Sequence, residues 1–144
     1  MQSKIWYKCE NVFSHEITGL RKCTNDSYEH HIPQIEEAIA NQMKEMRWPG
    51  MWDLLEAKRR LEDGHKFFYL FDHKGVLGHM WIDDNYIYNV FMHPRRLDGV
   101  SKLFLKAVMS LDGKEEYNLY CDEWNIKAQK YFEGVGFTKI DSYI

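Results

Sequence analysis

Apolar and polar positions follow two periods along this chain, and each change of period marks a change of element. Residues 4–9, Lys-Ile-Trp-Tyr-Lys-Cys, are short and dominated by β-branched and aromatic side chains, the composition of a strand, and the segment from Ile17 to Cys23 is a second candidate strand. Thr24, Asn25 and Asp26 then offer an N-cap. Ile32, Ile35, Ile39, Met43 and Met46 recur at spacings of three and four, which makes one apolar stripe on a helix. Pro33 fits that helix only near its start, where its missing N–H is not needed. Trp48-Pro49-Gly50 breaks the pattern. A second helix from about Trp52 to Glu62 sets Leu54, Leu55, Lys58 and Leu61 on one side, and Gly64 ends it.

Beyond Gly64 the pattern changes. Phe67 to Phe71 and Val76 to Ile82 flank the turn Asp72-His73-Lys74-Gly75, a β-hairpin, and Asp83-Asp84-Asn85 leads into a third strand, Tyr86 to Met92. After Gly99, the residues Val100, Leu103, Phe104, Ala107, Val108 and Leu111 form a stripe of period 3.6 that stops at Asp112-Gly113. Tyr117 to Cys121 is a strand, Asn125 opens a last helix, and Phe137 to Tyr143 is a last strand. The expected fold is α+β, with a mixed, mostly antiparallel central sheet flanked by about four helices. There is no repeat, low-complexity run or linker, and residues 1–144 read as a single domain.

Composition narrows the function classes. The chain is 44% hydrophobic and 15% aromatic, which suits a packed core, and its net charge of −3 lacks the basic footprint of a nucleic-acid binder. Lys58-Arg59-Arg60 reads as a solvated helix face, and His30-His31 as a surface pair at a helix start. Three cysteines, Cys9, Cys23 and Cys121, without CxxC spacing argue against a disulfide framework or zinc site and for a reducing interior; Cys121 reads as a small core residue. The seven histidines form no metal-ligand motif. No stretch approaches the roughly 20 apolar residues of a membrane helix, and the N-terminus lacks the apolar run of a signal peptide. A cytoplasmic protein without metal or membrane partner is expected.

Two segments carry chemistry. In Arg96-Leu97-Asp98-Gly99-Val100-Ser101 a strand has ended at Pro94 and a helix begins near Gly99. The first N–H groups of that helix lack intrahelical partners and the helix dipole adds positive charge, so the turn can hold a pyrophosphate or be an ordinary strand-to-helix connection. In the second segment Asn125 caps a helix with a small Ala128, and Gly136-Phe137 turns it into a strand. This order of elements resembles the acyl-CoA-binding core of the Gcn5-related N-acetyltransferases. Arg96, Gly99 and Ser101 match the family's pyrophosphate turn, which also contains Leu97, Asp98 and Val100. Val90, Phe91 and Met92 fall on the strand that holds the pantetheine arm through its backbone. Asn125, Ala128, Gly136 and Phe137 match the helix on the far side of the cofactor. The resemblance covers residues 65–144 well; residues 17–63 agree in the order of elements only.

What the resemblance implies is acyl transfer from acetyl-CoA, or another acyl-CoA, to the amine of a small molecule or protein. The chain departs from the family's pattern at three points. Ser101 replaces a second Gly or Ala. Phe132 stands where many members carry a tyrosine that protonates the leaving thiolate, and Tyr131 beside it points about 100° away. Tyr120 stands near the place of a glutamate base in some members. His79, Asp83, Asp84, Tyr88 and His93 are the remaining candidates for a base, each also readable as a turn carboxylate or packed strand residue. Few residues follow Phe137, where the family adds a hairpin partner. The last strand is expected to pair with Tyr117 to Cys121, with the strand at 4–9 or a second subunit covering the free edge. Trp6, Tyr7, Trp124 and Tyr143 would line such a homodimer contact. The rival to an enzyme is a non-catalytic binding or structural protein of the same fold, such as a phage virion component.

Overall fold

The structure, a computed structural model, describes residues 3–46, 52–96 and 98–140. Its elements in chain order are β1 (Lys4–Glu10), β2 (Leu20–Cys23), α1 (Tyr28–Met46), α2 (Leu54–Glu62), β3 (Lys66–Asp72), β4 (Gly75–Asp83), β5 (Tyr86–Met92), α3 (Val100–Asp112), β6 (Glu116–Asp122), α4 (Ile126–Val135) and β7 (Thr138–Lys139). A single 3₁₀ turn, Asn25–Ser27, precedes α1. The strands form one sheet in the order β2-β3-β4-β5-β6-β1-β7. Every neighbouring pair is antiparallel except β5 and β6. The α+β class and the mixed sheet are as the sequence predicts.

Side chains alternate across the pleat and build a core on each face. Phe67 and Trp81 point toward α1 and α2, where they meet Ile35, Ala38, Ala57 and Leu61. Phe68, Met80, Ile82 and Ile87 point the other way and meet Phe104 and Val108 of α3 and Val135 of α4.

Several boundaries and faces differ from expectation. β2 begins at Leu20 rather than Ile17, because Gly19 sits at a φ of +94° and a turn closes from Leu20 N–H to the Ile17 carbonyl. α2 begins at Leu54 because the Asp53 carboxylate accepts the Glu56 N–H at 2.8 Å and caps it, leaving Trp52 to pack into the core. Its buried face holds Ala57 and Leu61, while Leu55 is exposed. On α1 the buried stripe is Ile35, Ala38, Ile39 and Gln42, so Met43 and Met46 are half exposed. His31 is not a surface residue: its Nδ1 lies 2.8 Å from the Tyr69 hydroxyl on the sheet. The Trp48-Pro49-Gly50 break and Tyr143 lie outside the described residues.

The largest difference is at the sheet's far edge. β7 does not pair with β6. β1 lies between them, with Tyr7 opposite Leu119 of β6 on one side and Lys139 of β7 on the other. Tyr7 fastens this strand: it is fully buried and donates its hydroxyl to Glu133 Oε2 on α4 at 2.9 Å. It therefore cannot line a subunit contact. Tyr7→Ala is expected to destabilise the protein by about 3–5 kcal/mol, as for other buried aromatics, whereas Trp6→Ala, at a 39% exposed position, should cost under about 1 kcal/mol. Urea unfolding of both variants checks this, and equal losses would refute the anchoring role of Tyr7.

Candidate active site

The site begins where the sheet comes apart. β5 and β6 run parallel and meet at one register pair, Tyr86 with Asn118. Asn85 and Asn118 lock that point: the Asn118 N–H donates to the Asn85 carbonyl at 3.0 Å and its Nδ2 to Asn85 Oδ1 at 3.3 Å. Past it the strands part. The backbone of β5 that faces β6 has no sheet partner there, and such groups need one when covered.

A bulge re-aims β5 at the opening. Its register with β4 runs from Trp81 opposite Tyr88 to His79 opposite Phe91, one residue longer on β5. Asn89 takes up the extra length at a φ of +55°, a conformation that asparagine tolerates better than most residues. A buried polar network from α1 fixes it. Gln42 is 1% exposed and its Nε2 donates to Asn89 Oδ1 at 2.6 Å. Its Oε1 accepts from Trp52 Nε1 and from His79 Nε2, each at 3.0 Å. An amide oxygen only accepts, so His79 carries its proton on Nε2. Burial, helped by the nearby Arg60 charge, pushes the His79 pKa down to about 3, so the ring is neutral and a poor proton acceptor. His79, a candidate base in sequence, is thus a structural member of this network.

The turn at the end of β5 is held by one arginine and opened by the next. Arg95 forms a two-pronged pair with Asp72, Nη1 to Oδ2 at 2.6 Å and Nη2 to Oδ1 at 2.9 Å, tying the turn to the β3–β4 hairpin. The guanidinium holds the Asp72 pKa down to about 2. Arg96 is exposed, and among the described residues its side chain makes only a long 3.4 Å contact to the His93 carbonyl. Gly99 caps α3 at a φ of +84°, and a Cβ there would meet nothing within 4 Å. Among the described residues, nothing fills the space before the helix. α3 has no side-chain cap and no acidic residue in its first turn, and its first intrahelical bond runs from Leu103 N–H to the Gly99 carbonyl. Its leading N–H groups are available to an anion.

From Arg96 and Ser101 a groove of about 540 Å³ follows Met92, Phe91 and Val90 toward Asn125, Ala128 and Tyr131, with Lys127 on its rim. It continues into a cleft of about 600 Å³ between the parted strands, sharing Met46, Val90, Asn125 and Ala128 with it. The cleft is walled by Tyr86, Tyr88 and Tyr120, and by Phe132 from α4, and reaches Trp52 and Arg60 of the α2 region. Of the expected cofactor residues, Val90, Phe91, Met92, Arg96, Ser101, Asn125 and Phe132 line this channel. Asp98 and Gly99 are exposed at its mouth, Val100 packs on the core, and Leu97 lies outside the described residues. Asn125 caps α4 through the Ala128 N–H at 3.1 Å. These groups suit a CoA: open space and free N–H groups for the pyrophosphate, and an unpaired strand edge for the pantetheine amides.

Phe132 packs among Tyr7, Tyr131 and Phe137 and offers no proton. Tyr131 is engaged elsewhere, donating to the Ser101 carbonyl at 2.8 Å, with its pKa pushed up to about 12 by burial. Asp84 is exposed and paired with Lys114 at 3.1 Å, and His93 Nδ1 accepts the Arg95 N–H at 3.1 Å within the turn. The remaining candidates, Tyr88 and Asp83, are joined through a residue the sequence did not single out. His65 Nδ1 lies 2.5 Å from the Tyr88 hydroxyl, and its Nε2 lies 3.4 Å from Asp83 Oδ2. Burial raises the Tyr88 pKa to about 12.

Two further residues escaped the sequence reading. Gln42 continues the buried 35-38-39 spacing of α1, and Arg60 sits three residues after the buried Ala57 on α2; those spacings are the signal that marks them. Arg60 is not a solvated residue: its guanidinium lies 5.4, 5.2 and 5.5 Å from the ring centres of Trp52, Trp81 and Tyr88.

No family model and no curated protein sequence matches the chain. Solved structures do. An aminoglycoside acetyltransferase from an uncultured soil metagenomic sample, in complex with trehalose, superposes with a TM-score of 0.64 at 13% identity, over 87% of this chain and 91% of that one. AAC(6')-Iy in complex with the bisubstrate analogue CoA-S-monomethyl-acetylneamine gives 0.59 at 19% identity, over 87% and 93%. A GNAT-family acetyltransferase from Novosphingobium aromaticivorans gives 0.61 at 15% identity, over 97% of this chain and 61% of that one. A functionally unknown conserved protein from Staphylococcus epidermidis gives 0.62 at 10% identity. The chain spans 58% of the Staphylococcus protein and 61% of the Novosphingobium one. At these identities the likeness is one of architecture, and the architecture of this chain is that of the Gcn5-related N-acetyltransferases.

Proposed function

We propose that the protein transfers an acyl group, most simply acetyl, from acetyl-CoA to an amine. The observation that carries this is the continuous channel from the open N-terminus of α3, along the unpaired edge of β5, into the cleft beside Tyr88. The CoA-containing ligand of AAC(6')-Iy and the aminoglycoside acetyltransferase of the same fold support the cosubstrate and the amine chemistry. Three free, buried cysteines suit a cytoplasmic location. Among the described residues no helix is long and apolar enough to cross a membrane.

In this reaction the amine nitrogen bonds to the thioester carbonyl carbon, the C–S bond breaks, the amine loses a proton and the thiolate gains one. The chain's own contribution is positioning and a proton path. The bulge at Asn89 takes β5 out of its ladder with β4 beside the cleft, so backbone N–H groups there can meet the carbonyl oxygen as it gains charge. Tyr88 can pass its proton to His65 Nδ1 while its oxygen takes one from the amine, and His65 hands its Nε2 proton to Asp83. This needs no free tyrosinate, which a pKa near 12 makes scarce. Positioning supplies a large share of the acceleration in such sites, up to about 7–11 kcal/mol.

Phe132 favours a second reading, a protein of this fold that binds CoA without catalysis, since the thiolate has no tyrosine beside it. Binding and turnover assays separate the two.

Acetyl-CoA should raise the melting temperature of the wild type. Gly99→Asp should abolish that shift, because an Asp is strained at a φ of +84° and sets a negative charge before the pyrophosphate. A wild type whose melting is unmoved by acetyl-CoA would refute acyl-CoA binding. Tyr88→Phe should lower kcat by about 10²-fold, in the range of a lost acid–base group, with acetyl-CoA binding intact. An unchanged kcat and pH profile would exclude the Tyr88–His65–Asp83 path. Phe132→Tyr adds only a hydroxyl to a ring already packed there. It should fold normally and raise kcat; an unchanged kcat would mean that thiolate departure is not rate-limiting.

A further inference from the structure

If the acyl-transfer function holds, the charge pattern of the cleft identifies the class of acceptor. Arg60 is the one charged side chain among the described residues lining the cleft; the carboxylates of Glu56, Asp63 and Asp83 lie in the smaller pocket on the far side of Arg60, Tyr86 and Tyr88. A polycationic amine such as an aminoglycoside needs acidic partners, and this cleft offers it a cation. Arg60 is held stiffly. Its Nε donates to Glu56 Oε2 at 3.1 Å, and its plane sits among Trp52, Trp81 and Tyr88. Glu56 is shared with Arg59, which contacts both of its oxygens. The guanidinium fork itself is unused: Nη1 is buried without a hydrogen-bond partner among the described residues, and no hydrogen bond of Nη2 occurs among them either. A buried donor without an acceptor is costly. The indole Nε1 of Trp81, under the same guanidinium, is likewise buried and unpartnered.

We infer that the acceptor is a small amine bearing a carboxylate on a flat apolar body, with the carboxylate on the Arg60 fork and the body against the tyrosine wall. A carboxylate matches a lone guanidinium, since both are planar and pair through two parallel hydrogen bonds. A phosphate dianion would call for more positive charge than one arginine already shared with Glu56 provides. Tyr86 and Tyr120 stack almost face to face, 6.2 Å apart at 9°, and Tyr86 and Tyr88 at 5.6 Å and 15°. Stacked this way they present their edges along one side of the cleft, against which the face of an apolar ring can pack edge-to-face. Tyr88 borders both the fork and this wall, so an amine between carboxylate and ring would lie beside the proposed proton path.

Steady-state acetylation of matched pairs tests this: L-tryptophan against tryptamine and L-phenylalanine against phenethylamine, with neamine as the polycation. The wild type should prefer the carboxylate-bearing member of each pair by about tenfold or more in kcat/KM, the scale of a charge-assisted bidentate contact. Arg60→Gln should bring that ratio toward one, chiefly through KM, and Arg60→Lys should fall between, keeping the charge and losing the fork. Calorimetric titration of each variant with acetyl-CoA verifies the fold and the cosubstrate site. A wild-type ratio near one, a preference for neamine, or a ratio that Arg60→Gln leaves intact would overturn the inference. So would bound acetyl-CoA with no turnover of either amino acid. Failure of the wild type to bind acetyl-CoA would instead overturn acyl transfer itself.

Discussion

The architecture depends on a sheet that is held open. Backbone N–H and C=O groups inside a sheet normally find partners on both sides, yet β5 and β6 share a single register pair and then diverge. Left alone, such strands would gain by zipping together. The structure prevents this from several directions. Asn85 and Asn118 fix the pivot, and the bulge at Asn89 turns the β5 backbone out of line. Gln42 ties that bulge to Trp52 and His79, and Phe132 and Ala128 on α4 stand beside the gap. Each of these is a small local device. Together they keep a slot open along the unpaired edge of β5.

The polar network under the bulge shows why the opening is sited where it is. A glutamine, an indole N–H, an imidazole and an asparagine share three hydrogen bonds at or below 3.0 Å at the base of the cleft, with Gln42, Trp52 and His79 buried. Buried polar groups arranged this way specify one geometry, because a slipped register would leave several of them unpaired. The neutral state of His79 belongs to the same logic. A charged ring would meet Arg60 nearby and no acid among its partners.

Much of this was legible in the sequence, and the rest was hidden for identifiable reasons. Periodicity located the meander from Phe67 to Met92 and the helix after Gly99, because long amphipathic elements announce their buried faces. Gly99 and Asn125 were legible because each holds a backbone position that few residues suit, a left-handed cap and a side-chain cap. The acceptor side was not. Arg60 lies in a basic run that looks solvated, and only the rings of Trp52, Trp81 and Tyr88 brought around it by the fold show it enclosed. His65 stands in a loop with no motif around it, and its link to Tyr88 and Asp83 exists only once β3, β4 and β5 bring them together. The place of β1 was hidden as well, since a short strand carries no mark of its partner.

That place has a consequence for how the chain acquires its shape during synthesis. β1 is synthesised before its partners β6 and β7, with most of the other elements between them. Residues 7 and 119, and 7 and 139, face each other only after the elements between them have been made. The strand must remain unpaired through translation while β2 to β5 and the first two helices can already assemble behind it. Contacts of such sequence separation slow folding and leave an apolar strand exposed to other chains meanwhile. The alternating lysines Lys4 and Lys8, which stay on the exposed face of β1, are charges of the kind that keep an unpaired strand soluble until its neighbours arrive.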